Sequence, residues 1–333
     1  MEIDTLITSS FEDWLANELS GADVRAIEAG KSTSFDWNAI QASGFADAMC
    51  PEAVGGAGAN LATAGELAFL CGKHAMPFPL ATTIFAREAL VAQHSNVPLG
   101  AITIARADKS ANKTVTCRAA PFALASDWVL AIDDNESVLL PCAAGQTDMS
   151  GIHGSLLATI QWTEIPEEAV VLTKSRDWIS TGAAIYSALI AGAASRVLAL
   201  SLAYADERKQ FGKSLAAFQA IQQRLAVLAE MVLAARIAAQ QAFAGDAIDV
   251  RKSAVAKAKT SRIVPEVNAI GHMVFGAIGI TEECDLQLFT RRLLEWRQCF
   301  GGEKHWDRMI GNAVLAGDRD VLRFILSVTP ALN

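Results

Sequence analysis

Tyr204-Ala-Asp-Glu-Arg208-Lys-Gln-Phe211-Gly212-Lys213, followed by Ser-Leu-Ala-Ala-Phe218-Gln219-Ala-Ile221-Gln, is the most informative segment of the chain. It joins two long apolar segments of helical period. The spacing predicts Arg208 and Phe211 one helical turn apart, just before Gly212 ends the helix, with Gln219 opening the next. A guanidinium so placed can take a pyrophosphate through two parallel hydrogen bonds. An aromatic ring three residues on can pack against the same ligand, and the Gln219 amide can hydrogen-bond it. In isolation, R-x-x-F-G is an ordinary capped turn with a surface arginine. Its spacing to Phe218-Gln219 and the order of segments around it argue for more than that.

On the C-terminal side the helical period dominates. Phe218, Ile221, Leu225, Leu228 and Val232 fall on one face at 3,4,3,4 spacing. Four long helices are expected, at about 178–207, 215–244, 249–275 and 283–299. Gly182 to Tyr204 is apolar enough to suggest a membrane span, but Arg196 interrupts it and Ser187, Ser195 and Ser201 punctuate it. A buried bundle helix is the expectation, because a mid-span arginine is expensive in lipid.

On the N-terminal side, about 99–174 carries short β-type runs: Ala101-Ile-Thr-Ile-Ala, Thr114-Val-Thr-Cys, Trp128-Val-Leu-Ala-Ile, Ser137-Val-Leu-Leu and Leu157-Ala-Thr-Ile-Gln-Trp. They predict a compact antiparallel sheet. Residues up to about 98 read as short helices, with Phe11 to Leu19 and Ala62 to Cys71 at helical spacing. Pro51-Glu52-Ala-Val-Gly55-Gly56-Ala-Gly58 lacks the preceding strand and following Gly-Lys-Ser/Thr of a phosphate loop, so it reads as a turn needing positive φ. The expected division is 1–98, 99–175 and 176–333. The fold class is mainly α with a small β domain.

Composition narrows the function. The chain of 333 residues is 52% hydrophobic and only 19% charged, which argues against extended disorder. Its 28 basic against 36 acidic residues disfavour binding to nucleic acid through phosphate neutralisation. Cys50, Cys71, Cys117, Cys142, Cys284 and Cys299 form no C-x-x-C pair, so no metal site of that kind is expected. The opening Met-Glu-Ile-Asp-Thr-Leu lacks the features of a signal peptide, and a cytoplasmic location without membrane attachment is the expectation.

The segment 204–222 resembles the flavin-clasping stretch of the acyl-CoA dehydrogenases, Y-x-x-x-R-x-x-F-G-x-x-x-x-x-F-Q. That resemblance implies an N-terminal helical domain, a middle antiparallel β domain and a C-terminal four-helix bundle. It also implies that Arg208, Phe211 and Gln219 reach the adenine and pyrophosphate half of an FAD held by a neighbouring subunit. The Pro51 to Gly58 string and Pro77-Phe78-Pro79 are similar to turns of the family's N-terminal domain. Phe275-Gly276-Ala277-Ile278-Gly279-Ile280-Thr281-Glu282 is similar to its Q-x-x-G-G-x-G-x-T/S-x-E turn, whose glycines let backbone approach FAD. Here Gly276 and Gly279 are retained, while Met273 replaces the glutamine and Ala277 the second glycine. His272, next to Met273, either replaces that polar contact or is packed in the core; the latter is the favoured expectation.

Other family parts are missing. The family's base is a glutamate in a Tyr-Glu-Gly-Thr-like string, which removes the α-proton of an acyl thioester. Aligned on Phe300 and Gly302, that position is Gly301. The alternative base position on the first bundle helix falls near Gly182 and Ala183, neither a carboxylate. Residues 99–174 contain nothing like the Thr-Glu-Pro-x-x-Gly-Ser-Asp stretch that lines the isoalloxazine.

The resemblance is therefore to the short, base-lacking subunit of heteromeric (α2β2) acyl-CoA dehydrogenases, several of which act on coenzyme A thioesters of steroid side chains. It implies a larger acyl-CoA dehydrogenase subunit as partner, which carries the glutamate base and shares the FAD. It also implies an acyl-CoA substrate, a role in lipid metabolism, an electron-transfer flavoprotein as one possible acceptor, and a chain inactive alone. Two other readings stand beside it: a self-sufficient homomeric enzyme with Glu303 as base, and a non-catalytic scaffold that has lost flavin.

Overall fold

The computed structural model describes residues 2–94, 97–110, 114–133, 136–173, 176–316 and 320–328. The chain divides into two compact units, residues 1–64 with 76–178, and residues 65–75 with 179–333.

The first unit opens with α1 (Glu2–Glu18), α2 (Gly21–Glu28) and α3 (Trp37–Ser43). Ser20 and Asp23 form a reciprocal capping box at the start of α2. Asp36 caps α3 through the Ala39 amide at 2.9 Å, and Gly44 in the left-handed region ends it. The glycine run then turns as the sequence predicts. Gly55 and Gly58 have φ of 87° and 61°, while a Cβ on Gly56 would lie 2.0 Å from the Cys50 carbonyl oxygen. Next come α4 (Leu61–Lys73), whose residues from 65 onward belong to the second unit, and α5 (Leu80–Val91). Pro77-Phe78-Pro79 lies between them, with Pro79 at the cap of α5.

Seven strands follow: β1 (Ile102–Lys109), β2 (Val115–Ala120), β3 (Trp128–Ile132), β4 (Ser137–Pro141), β5 (Gln146–Met149), β6 (Ala158–Trp162) and β7 (Val170–Leu172). They form one sheet in the order β5-β6-β2-β1-β3-β4-β7. The expected antiparallel sheet is corrected to a mixed one, because β1 pairs with β3 in parallel. The connection over 121–127 carries the chain from β2 to the opposite edge of β1 instead of making a hairpin, so β3 runs in the direction of β1. Alternate residues Val115/Cys117, Val129/Ala131, Val138/Leu140 and Ala158/Ile160/Trp162 build one core layer.

The second unit is helical. Its elements are α6 (Trp178–Glu207), the short strands β8 (Lys209–Gln210) and β9 (Lys213–Ser214), α7 (Gln219–Ala242), α8 (Val250–Phe275), α9 (Leu286–Gln298), α10 (Glu303–Ala316) and α11 (Val321–Val328). The four long helices lie close to their expected places. The second begins at Gln219 because a 3-10 turn at Leu215–Ala217 and an extended Phe218 precede it. Asp249 caps α8 by accepting from the Arg251 and Lys252 amides at 2.8 and 3.0 Å.

Small residues set the helix spacing. A Cβ on Gly72 of α4 would stand 2.1 Å from the Leu189 carbonyl oxygen, and one on Gly192 of α6 would stand 2.0 Å from that of Phe69. The two helices therefore meet backbone to backbone. Among the described residues, three helical stretches are long and apolar enough to cross a membrane, 178–207, 219–242 and 250–280, two more than the sequence suggested. In the first, 72% of the apolar window is buried inside the protein, which accounts for its hydrophobicity without lipid.

Candidate functional site

The last α6-type hydrogen bond at the clasp runs from the Arg208 amide to the Tyr204 carbonyl, at 2.9 Å. Beyond it the chain leaves the helix. β8 and β9 pair antiparallel, Lys209 opposite Ser214 and Gln210 opposite Lys213. Phe211 and Gly212 form the tip, with φ of 50° and 82°. The expected helical turn between Arg208 and Phe211 is thus replaced by a tight hairpin. Two successive left-handed residues match the right-handed twist of paired strands, which a continued helix cannot supply. Gly212 adopts that conformation freely, whereas a bulky residue such as Phe211 does so only under constraint.

The tip is aimed at solvent. Phe211 is 92% exposed, and its ring meets Phe218 edge-on at 6.4 Å. Arg208 is exposed, and its guanidinium makes no hydrogen bond or ion pair among the described residues. Gln219 opens α7, exposed and likewise without a side-chain partner among the described residues. A cation, an amide and a bare aromatic ring are therefore displayed on one short connection. This donor set suits an anionic, partly aromatic ligand.

The Tyr204 ring stacks on Phe275 at 4.3 Å and 17°, which joins the roots of the clasp and of the glycine turn. The two glycines there do different work. Gly276 has φ 64° and ψ −146°, a conformation open essentially to glycine alone, and it is exposed with no heavy atom near its missing Cβ. Gly279 is buried, and a Cβ there would lie 2.9 Å from Phe275 Cβ and 3.0 Å from Leu286 Cδ2. Packing within the chain is thus enough to account for Gly279. His272 faces inward, with Nε2 3.1 Å from Thr290 Oγ1, and burial lowers its pKa. It is a packed histidine, and the exposed neighbouring position is held by Met273.

The two positions at which the resemblance would place a base come together at one ring. Phe300, at φ 54°, lies against Gly182, where a Cβ would stand 2.2 Å from Phe300 Cδ1. Tyr186, one turn along α6, has its ring 5.4 Å from that of Phe300, and Trp306 Nε1 donates to the Phe300 carbonyl at 2.9 Å. Gly301 has φ 90°, and a Cβ there would meet His305 Cδ2 at 2.8 Å and Trp306 Nε1 at 3.0 Å. Glu303 forms a two-pronged ion pair with Arg297, Nε to Oε2 at 3.1 Å and NH2 to Oε1. Hydrogen bonding from Arg297 holds its carboxyl below the usual carboxylate range. A carboxylate stabilised in this way is a poor proton acceptor.

Beneath this turn lies Lys257 of α8, fully buried. Its Nζ contacts Ser261 Oγ at 2.7 Å and donates to the carbonyls of Arg297 and Trp296 at 2.9 and 3.1 Å. It thereby satisfies the open C-terminal end of α9. Burial lowers its pKa to about 7.

Residues 179–315 match the family model described as the acyl-CoA dehydrogenase C-terminal domain. The acyl-CoA dehydrogenase IpdE2 of Mycobacterium tuberculosis is 30% identical over 256 residues, covering 75% of this chain and 76% of that protein. The chain belongs to the acyl-CoA dehydrogenase family. Two solved structures share the fold at a TM-score of 0.80. The Tcur3481–Tcur3483 steroid ACAD, in a variant form, is 20% identical, covering 96% of this chain and 99% of its own. The ChsE4–ChsE5 complex from Mycobacterium tuberculosis is 18% identical, covering 95% and 98%.

For an acyl-CoA dehydrogenase chain, the structure gathers Arg208, Phe211 and Gln219 on one connection and leaves Gly276 open. It sets Gly279 and Glu303 into contacts of their own. Sequence reasoning missed Lys257, Phe300 as a packing residue, and α10, which supplies Trp306. Lys257 left a signal. It falls on the buried stripe of α8 among Ala254, Ala258, Ser261 and Val264, where a charged residue needs a partner.

Three outcomes follow from these contacts. Phe211→Asn raises stability by about 0.5–1 kcal/mol in denaturant melts, because Asn-Gly suits the two left-handed positions; a loss of stability would make the ring a structural prop. Gly301→Glu lowers stability by roughly 2–4 kcal/mol through left-handed strain and crowding, and creates no dehydrogenase activity. Lys257 is neutral in the folded chain above about pH 7 but charged in the unfolded chain up to its ordinary value of 10.5. The unfolded state then holds the extra proton, so stability rises with pH across that window. Urea melts of Lys257→Met should lack this part of the rise.

Proposed function

We propose that this chain is one half of a flavin-dependent acyl-CoA dehydrogenase, contributing the adenosine and pyrophosphate side of an FAD site to a longer partner subunit. The observation that carries this reading is the pairing of an exposed, left-handed Phe211 with an unpaired Arg208, in a chain whose own base positions are closed. Arg208 takes the pyrophosphate through two hydrogen bonds, Phe211 packs beside the ribityl or adenosine portion, Gln219 hydrogen-bonds the same half, and Gly276 gives its backbone access. When bound, FAD supplies hydride acceptance from the β-carbon of the acyl thioester.

The α-proton is removed by a glutamate of the partner, since Gly301, Gly182 and Ala183 offer no acceptor and Glu303 is engaged with Arg297. The assembly is an α2β2 heterotetramer with one FAD per pair of chains, and this chain alone is inactive. The steroid enzyme among its structural neighbours suggests the acyl-CoA of a steroid side chain or another bulky acid as substrate, and an electron-transfer flavoprotein suits the role of acceptor. The reading includes domains at 1–98, 99–175 and 176–333 and a cytoplasmic location.

Co-expression with a longer acyl-CoA dehydrogenase that has an intact flavin loop and glutamate tests it. One FAD per pair is expected, none on this chain alone, and at least a tenfold faster release of FAD on Arg208→Ala. A yellow protein from this chain alone that bleaches with acyl-CoA would overturn the reading. So would an assembled complex whose flavin content and release are indifferent to Arg208→Ala; that result would favour a scaffold.

A further inference from the structure

The clasp hairpin is too short to hold its own shape. Its ladder is two residues a side, supplemented by the Leu215 amide donating to the Arg208 carbonyl at 2.8 Å. Isolated hairpins are marginal in water even when longer. Yet the tip holds a phenylalanine at φ 50°, a conformation that persists only where the surroundings impose it. The remaining contacts of the tip converge on Phe218. Lys213 Nζ lies 4.2 Å from the centroid of that ring and 3.5 Å from the Ala217 carbonyl oxygen, and Phe211 meets the same ring edge-on. Phe218 is half-buried at the cap of α7 and is the least exposed of the three.

We propose that Lys213 is a positioning residue for the clasp: its ammonium, seated on the Phe218 ring, fastens the hairpin to the start of α7 and so fixes where Phe211 and Arg208 are presented. The attraction is that of a cation for the face of an aromatic ring, strongest when other contacts hold the ring still. Phe211, at the tip between the strands, meets the same ring edge-on. The ligand consequence rests on the FAD reading above; the mechanical one does not.

Two measurements test it. In the chain alone, hydrogen exchange of the Leu215 amide reports the hairpin without any flavin. Lys213→Met keeps the aliphatic stem, and the amide is expected to exchange roughly two- to fivefold faster, the range for an exposed cation–aromatic contact. Lys213→Arg restores protection. Phe218→Leu gives a similar loss, and the double variant Lys213→Met/Phe218→Leu is no worse than the worse single, as for two halves of one contact. Unchanged exchange in Lys213→Met, or additive losses in the double variant, would overturn the proposal.

In the co-expressed complex, FAD release is expected to quicken by a similar factor in Lys213→Met and to recover in Lys213→Arg. If Arg208→Ala speeds release while Lys213→Met does not, the positioning role fails and the FAD reading stands. If neither variant changes release but exchange responds as expected, the positioning role stands and the FAD reading fails.

Discussion

Residues 180–194 of helix α6 are buried throughout, which is possible only because so many of them are small. Gly192 receives the backbone of α4, whose Gly72 returns the contact against Leu189. Gly182 receives the ring of Phe300. Ala183, Ala184, Ala188, Ala191, Ala193 and Ala194 are all buried between them. Such contact leaves no void for a larger side chain, and interiors packed to this density do not yield easily to one. The helix is thus a spine along which neighbours are set at fixed distances, and at its far end it releases the chain as the clasp.

The same closeness separates the two ends of the helix chemically. Near its start, Phe300, Tyr186 and Trp306 fill the place where a carboxylate would have to stand, and Lys257 ties down the end of α9 beneath them. Three polar groups around that turn are committed among the described residues: Glu303 to Arg297, the Phe300 carbonyl to Trp306, and the last α9 carbonyls to Lys257. At the other end, Arg208 and Gln219 are uncommitted among the described residues and Phe211 is bare. The chain is thus closed around Phe300 and open at the clasp.

Exposure at the clasp is not looseness. Phe211 and Gly212 take the two left-handed positions of a tight hairpin turn, and the Phe211 ring meets Phe218 edge-on. Groups fixed before a ligand arrives lose less freedom when it binds. The strained backbone and the exposed ring are therefore two aspects of one arrangement.

The residues alone make legible the long helices, the small strands, the spacing of Arg208, Phe211 and Gln219, and the lack of a carboxylate at Gly182, Ala183 and Gly301. These are local or positional properties, written in periodicity and in residue identity. Tertiary structure decided the rest. The parallel pairing of β1 with β3 depends on where the 121–127 connection crosses, and no strand pattern records that. The hairpin at Phe211 arises because paired strands impose a twist that a helical reading cannot contain. The commitment of Glu303, the burial of Lys257 and the packing of Gly279 each depend on partners brought together by folding: Arg297 across a turn, carbonyls some forty residues on, and a leucine of the next helix. Whether a polar residue is free to act is a property of its neighbours in space, and those are set only when the chain is folded.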